Sequence, residues 1–389
     1  MEQQKNIPLF KVFMSDDVME PVTSVLKSGF LTEGPQVEKF ERALKDYIGV
    51  ENLLTINSAT SGLTLALRLL IEENHKMQWP GFDKENDVVL TPSLTCFATN
   101  AAILANECNI RWIDTDNTTC NVSISDLSLK LNESTKVVYV VHWAGYPVDL
   151  NALKGLQDLH YQKYGYRFMI VEDCAHAFGA TYNGKMLGNH GNICVYSFQA
   201  IKHLTAGDGG AIILPNTTLY ERCKLLRWFG IDRNRRNYNR KDLRMEHDIM
   251  EWGYKFHMND INATIGLYNL PHIAELIQKN RENNAFLRRE LSKVEDIILL
   301  EQSEDRETAA WLFTMRVKRK SEFIEKLKGN GISTSQVHNR NDLNSCVFQY
   351  RCLLPNIDEL EKDMICIPVG WWLTKDDLEY IVTIIKSGW

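Results

Sequence analysis

Between about residues 50 and 215 the chain alternates short aliphatic runs with longer amphipathic stretches. Examples are Asp87-Val-Val-Leu90, Lys136-Val-Val-Tyr-Val-Val141, Phe168-Met-Ile-Val171, Ile193-Cys-Val-Tyr196 and Ala211-Ile-Ile-Leu214. These runs are continuous rather than alternating, so a strand made from one has no face that suits water. Helices must then cover both faces of the sheet, which predicts an α/β domain with a largely parallel sheet. Helical periodicity is clearest at Leu63, Ala66, Leu67 and Leu70, which share one face. From about residue 266 the pattern changes. Helical segments at 272–296 and 320–329 come with fewer strands, which predicts a smaller C-terminal α/β domain. The expected division is 1–265 and 266–389, within reach of a 389-residue chain. One polar stretch, Glu72 to Asn86 with Pro80-Gly81, reads as a surface excursion between a helix and a strand.

Bulk properties exclude several classes of function. A hydrophobic share of 44% provides for a sizeable core. A formal net charge of -6 implies no general surface for nucleic acid or anionic membrane. Nine cysteines are dispersed without a C-x-x-C pair, so they are expected as reduced and mostly buried thiols. No metal-ligand spacing stands out. The N-terminal Met-Glu-Gln-Gln-Lys-Asn shows no secretory signal, and the longest apolar runs are too short to span a bilayer. A cytoplasmic location is expected. Basic residues concentrate between Arg227 and Arg244, at Arg227, Arg233, Arg235, Arg236, Arg240, Lys241 and Arg244. This stretch is either a solvated loop or a basic arm over an anionic ligand.

Three features carry chemistry. Lys202 lies in Val195-Tyr-Ser-Phe-Gln-Ala-Ile-Lys202-His-Leu-Thr-Ala-Gly-Asp-Gly-Gly210, where a short strand runs into a lysine, a glycine turn and a second strand. Phe168-Met-Ile-Val-Glu-Asp173 predicts a buried strand with a carboxylate at its C-terminal end, where open α/β sheets bind ligands. Asn57-Ser-Ala59-Thr60-Ser61-Gly62 opens a helical pattern. An amine nucleophile, a carboxylate and an anion-binding helix start are what pyridoxal 5′-phosphate (PLP) requires. The amine forms a Schiff base, the acid holds the pyridine nitrogen protonated, and backbone N–H groups hold the phosphate.

Taken together, the blocks resemble the sugar-nucleotide aminotransferases of the DegT/DnrJ/EryC1/StrS family, which have the type I aminotransferase fold. Besides those above, the resemblance rests on Ser28-Gly-Phe-Leu-Thr-Glu-Gly-Pro35, Thr91-Pro-Ser-Leu-Thr-Cys-Phe-Ala-Thr99 and Val141-His-Trp-Ala-Gly-Tyr-Pro-Val-Asp149. It also rests on Glu172-Asp-Cys-Ala-His-Ala177 and Gly253-Tyr-Lys-Phe-His-Met-Asn-Asp-Ile-Asn-Ala263. It covers nearly the whole chain, with the blocks in the family's order.

The resemblance makes Lys202 the cofactor-bonding lysine and the proton carrier, and Asp173 the partner of the pyridine nitrogen. It places Ala59, Thr60, Ser61 and Ser197 at the phosphate and His176 near the ring. Cys96 falls where the family often stacks an aromatic residue on the ring, with Phe97 beside it. Lys255 replaces an asparagine that reaches the neighbouring subunit's cofactor phosphate, and His257 replaces a usual arginine. His203, His257, Arg233, His338 and Arg340 form the implied substrate-side set. As simpler alternatives, Ser and Thr at a helix start are ordinary N-caps, and a lone histidine is an ordinary core residue.

The family likeness implies a homodimer with active sites built from both subunits, the basic 233–244 segment being the candidate arm to the partner. It further implies transfer of an amino group from an amino acid, usually L-glutamate, to the keto sugar of a nucleoside diphosphate sugar, for surface polysaccharide or glycan. Relatives that dehydrate the sugar at C3 carry histidine in place of the lysine, so Lys202 favours transamination. A non-catalytic relative that binds PLP or a sugar nucleotide is the more distant alternative.

Overall fold

The computed structural model describes residues 5–233 and 248–389. The other basic residues of the 227–244 stretch, from Arg235 to Arg244, lie outside the described residues.

In chain order the helices are α1 (Met19–Ser28), α2 (Pro35–Ile48), α3 (Ala59–Ile71), α4 (Phe97–Leu104), α5 (Ile124–Lys130) and α6 (Leu150–Tyr164). They continue as α7 (Thr217–Leu226), α8 (Asp260–Asn269), α9 (Ile273–Leu291), α10 (Lys320–Gly329), α11 (Pro355–Asp363) and α12 (Lys375–Lys386). The strands are β1 (Leu53–Ile56), β2 (Val88–Pro92), β3 (Asn109–Ile113), β4 (Thr135–Val141), β5 (Met169–Asp173), β6 (Thr181–Tyr182) and β7 (Lys185–Met186). After them come β8 (Ile193–Ser197), β9 (Gly210–Ile213), β10 (Ile297–Leu299), β11 (Arg306–Glu307), β12 (Phe313–Val317) and β13 (Met364–Ile367).

Seven strands form the central sheet, in the order β1-β9-β8-β5-β4-β2-β3. The pairs from β8 through β5, β4 and β2 to β3 are parallel, and β9 runs antiparallel to both its neighbours. Both faces are buried, as the continuous runs predict. In β4, Val137 and Tyr139 enter one core cluster while Val138 and Val140 enter the other. In β8, Ile193 and Val195 divide from Cys194 and Tyr196 in the same way.

Helix α3 packs closely on this sheet. A Cβ at Gly62 would lie 2.2 Å from Ile56 Cδ1 and 2.8 Å from Val195 Cγ1, so only glycine fits there. The helix is more deeply set than its four-residue face suggests, because Leu65 and Leu69 are buried as well. Helix α2 starts at Gly34-Pro35 and is capped by a residue distant in sequence. Asp260 accepts from the N–H groups of Gly34, Gln36 and Val37, which answers the helix's exposed donors with a negative charge.

A second sheet, β10-β12-β13, is packed by α9, α10 and α12 around its own core cluster. A division near residue 265 is a proposal about folding units, and packing crosses it in both directions. Ile7 pairs with the segment at Ile332 and joins the C-terminal core. Trp311, Leu312 and Val347 join a cluster of the central sheet.

One expectation is corrected. The 72–86 stretch is not a purely surface excursion. Trp79 and Phe82 are buried, and Trp79 donates its indole N–H to Leu70 O at 2.9 Å. Two aromatic anchors outweigh the polarity of their neighbours. The nine cysteines are all free, six of them buried. No helix among the described residues is long and apolar enough to cross a membrane.

Candidate active site

The C-terminal ends of β5 and β8 and the start of α3 are neighbours: Asp173 pairs with Val195, Ser197 with Gly210, and Gly210 lies against Ala59. Asp173 is the last residue of β5 and Ser197 the last of β8. The chain then loops from Phe198 to Gly209, closed by Phe198 N–H to Gly209 O at 2.9 Å and Ala206 N–H to Phe198 O at 2.9 Å. Lys202 stands on this loop.

The Lys202 side chain is half-buried and lies across an indole. Its Nζ sits 3.7 Å from the centre of the Trp311 ring. Burial pushes its pKa down from 10.5 to about 8, against the pull of Asp173 and then Cys96. About a tenth of the amine is then free base at pH 7, far more than for an ordinary lysine, and the free base is the form that acts as a nucleophile.

Trp311 organises the surroundings. Its ring stacks on His176 with centroids 4.0 Å apart and on Phe10 at 4.9 Å. Its N–H groups bond Ala144 O at 2.9 Å and Ile201 O at 3.0 Å. The 141–149 block thus has a structural duty, since Ala144 and Gly145 hold the segment 309–311 in place. Gly145 adopts φ +91°, and a Cβ there would meet His176 O at 2.8 Å. His338 stacks parallel to His176 at 5.4 Å, and their Nε2 atoms are 3.4 Å apart. Burial and then the charge of Lys202 hold both imidazoles low, His338 at about 4, so both are neutral at physiological pH.

Asp173 is buried, and burial pushes its pKa up. Thr99 Oγ1 donates to Oδ2 at 2.7 Å and Ala175 N–H to Oδ1 at 3.0 Å, which favours the ionised form. Its neighbour Glu172 faces the other way. There it meets His142 Nε2 at 2.9 Å and accepts from Asn192 at 2.7 Å, while Val148 N–H donates to His142 Nδ1 at 3.0 Å. Adjacent carboxylates on one strand thus serve opposite faces of the sheet. His142, Glu172 and Cys174 bring possible metal ligands together, but the histidine and carboxylate bonds are already committed within the protein.

At the start of α3 the N-cap is Ser58. Its hydroxyl accepts from Ser61 N–H at 3.1 Å and meets Ser61 Oγ at 2.9 Å. The helix leaves its first N–H groups, those of Ala59 and Thr60, directed outward. Gly210 lies against this turn, where a Cβ would be 2.9 Å from Ala59 N. Cys96 and Phe97 are exposed at the start of α4.

Other residues of the expected set stand elsewhere or are occupied. Arg340 is corrected. It is buried and bonded to Asp342 at 2.8 and 2.7 Å and to Asp358, so it anchors its own loop and has no free donor face for a substrate. His203 is buried with Nε2 against Ala309 O at 2.9 Å, its Nδ1 has no partner among the described residues, and burial lowers its pKa to about 4. Arg233, His257 and Lys255 form a separate cluster around Trp228. His257 packs edge-on to the indole at 4.0 Å, Arg233 lies over it and pairs with Glu33 at 2.6 Å, and Lys255 is exposed. Arg227, read as part of a basic arm, is buried beneath this cluster between Glu41 and Glu33. Thr99, Ser58 and Trp311 were missed as site residues. Thr99 closes the 91–99 block and Ser58 is an ordinary capping residue, but nothing local in the sequence marks Trp311.

The donor set fits PLP. A depressed amine, a buried acid that accepts two hydrogen bonds and outward helix N–H groups lie close together, and His176 Nδ1 is buried with no partner among the described residues. Lys202 would hold the aldehyde, Asp173 the ring nitrogen, and Ala59, Thr60 and Ser197 the phosphate.

The fold, with its lysine loop and strand-end acid, is that of a type I PLP-dependent aminotransferase. The chain belongs to the DegT/DnrJ/EryC1/StrS aminotransferase family, whose model matches residues 13–386, and it is a PLP-dependent enzyme of that family. It is 44% identical to the sugar aminotransferase CalS13 from Micromonospora echinospora, with a TM-score of 0.92 over 98% of this chain and 100% of that one. Its likeness to AtS13 from Actinomadura melliaura is also 44% identity, with a TM-score of 0.93 over the whole of both chains. It is 31% identical to the GDP-perosamine synthase of Escherichia coli O157:H7 over 279 residues, 72% of this chain and 69% of the relative.

Proposed function

We propose that the protein transfers an amino group from an amino acid, L-glutamate by the family's habit, to the keto group of a deoxy sugar carried on a nucleoside diphosphate. The product would serve synthesis of an amino-sugar glycan at the cell surface. The likeness to sugar aminotransferases and to a synthase of a GDP-linked amino sugar supports this reading. The observation that carries it is the state of Lys202, a half-buried amine depressed to about 8 beside a hydrogen-bonded Asp173.

Bound, PLP supplies an aldehyde to carry the amino group and a ring to delocalise negative charge. Lys202 Nζ then has two tasks, to hold that aldehyde between turnovers and to move a proton to or from the substrate carbon. Asp173 keeps the ring nitrogen protonated. The neutral His176 and His338 stand near Lys202 as hydrogen-bonding groups, not as charges. The cluster of Arg233, Lys255 and His257 would serve the nucleotide sugar, across a dimer interface to a second copy. Support for a dimer comes from large apolar side chains left exposed at Leu26, Phe30, Ile249, Met250 and Trp252.

Product analysis with keto-sugar nucleotides tests the reading. Glutamate should bleach the long-wavelength cofactor band, and an amino sugar should form only when glutamate is supplied. Loss of the C3 hydroxyl without amination would assign the dehydratase reaction instead. A protein that takes up no PLP would reject both.

A further inference from the structure

Asp173 does not stand alone. Its Oδ2 is bonded by Thr99 Oγ1 at 2.7 Å, and Thr99 Oγ1 is 2.8 Å from Thr95 Oγ1. All three residues are buried. An ionised carboxylate can only accept, so the Thr99 hydroxyl must donate to Asp173 and is left to accept from Thr95. The two hydroxyl protons therefore point one way, toward the acid. Chains of this kind strengthen one another in a medium of low dielectric. Burial works against the charge on Asp173, and the Thr99 bond is the strongest influence opposing it.

The relay is fixed from a distant part of the chain. Asn341 donates its side-chain amide to Thr95 O at 3.0 Å and to Asn100 Oδ1 at 2.7 Å, and its backbone N–H to Ser93 O at 2.8 Å. Asn100 passes its own amide to Thr91 Oγ1 at 2.9 Å. Asn341 thus clamps the 91–100 segment at three points. Its own place is fixed by its neighbours, because Arg340 is held by Asp342 on the other side of it. This explains why a buried arginine stands where a substrate contact was expected.

We infer that Thr99, backed by Thr95 and locked by Asn341, is a positioning residue that holds Asp173 ionised and aimed at the cofactor's ring nitrogen. The inference rests on the assignment of Asp173 to that nitrogen. Thr99 touches neither substrate nor cofactor in this scheme and acts through the carboxylate alone. Without its donor, the acid keeps one bond, from Ala175, and becomes easier to protonate. A protonated or misaimed acid no longer holds the proton on the ring nitrogen.

The test uses holoenzyme reconstituted with PLP labelled with ¹⁵N in the ring, so that the pyridine nitrogen is read directly by NMR. Thr99→Val removes the hydroxyl at nearly constant volume and Thr99→Ser restores it. In Thr99→Val the ¹⁵N signal should move toward the unprotonated position and kcat should fall about 10- to 100-fold, the effect of losing one hydrogen bond to a charged group. Thr99→Ser should recover both. Thr95→Val and Asn341→Ala should shift the signal in the same direction by less, and they carry the test if Thr99→Val does not fold. An unmoved ¹⁵N signal in Thr99→Val, or in both other variants if that one is insoluble, overturns the proposal. So does Thr99→Ser behaving like valine. Asp173→Asn is measured alongside. If it too leaves the signal in place, the assignment of Asp173 fails, whereas a signal that moves in Asp173→Asn but not in Thr99→Val rejects the relay alone.

Discussion

Arg227 and Lys202 are both withdrawn from water, and they are held for opposite ends. Arg227 is buried and saturated. Its guanidinium meets Glu41 at 2.6 Å, Glu33 at 2.8 Å and Thr55 O at 2.8 Å, and the two carboxylates raise its pKa against the cost of burial. Glu41 in turn accepts from the N–H and hydroxyl of Thr55, so α2, β1 and the end of α7 are joined at one point. Lys202 is half-buried and has an indole face where Arg227 has carboxylates. Its pKa falls to about 8. Burial of a positive charge therefore says little about its role. What surrounds the charge decides whether it becomes a rivet or a nucleophile.

Three measurements probe this contrast. The largest effect is expected at Lys202. Lys202→Ala should lower turnover by at least about 10³-fold, because both the covalent anchor and the proton carrier are lost. Borohydride reduction followed by peptide mapping should then find no fixed cofactor. Residual turnover near the wild-type rate would refute the assignment outright.

The reverse is expected at Arg227. Arg227→Met leaves Glu41 without its cation and Glu33 with Arg233 alone, and should cost about 3 kcal/mol of stability in urea unfolding. A variant as stable as wild type would mean that the cluster is not structural.

The third effect is the smallest and sharpens the comparison most. The folded-state pKa of Lys202, about 8, lies below the ordinary value of 10.5, so the unfolded chain binds the extra proton between those limits. The cost of burying the charge is present in full below pH 8 and fades as pH rises toward 10.5. Lys202→Met should therefore make the apoprotein more stable at pH 7 by about 2 kcal/mol, allowing for water that reaches the amine. The gain should shrink through that window. A gain independent of pH would trace to packing instead. Arg227, with its charge compensated, offers no such gain.

Much of the fold was legible because it is written in contiguous residues. The aliphatic run of β4 needs two buried faces, and the sheet supplies them. The lysine loop between β8 and β9 and the acid at the end of β5 are visible because each depends on where a strand stops. The sequence misled where a residue's type was informative and its partner was not. Arg340 is chemically suited to a substrate, yet Asp342 takes its bonds. Trp79 and Phe82 sit in a polar stretch and are still buried.

Order along the chain settled which groups this protein brings to its chemistry: an amine, an acid and a helix start, each placed by strand and turn signals within a few residues of itself. Their tuning was settled by tertiary structure alone. Thr99 lies 74 residues before Asp173 and Asn341 lies 241 beyond Asn100. Trp311, whose ring lies under Lys202 Nζ, is bonded to Ile201 across 110 residues of chain. A pKa or a proton direction depends on which groups fold into reach of a charge, and spacing along the chain does not encode that distance.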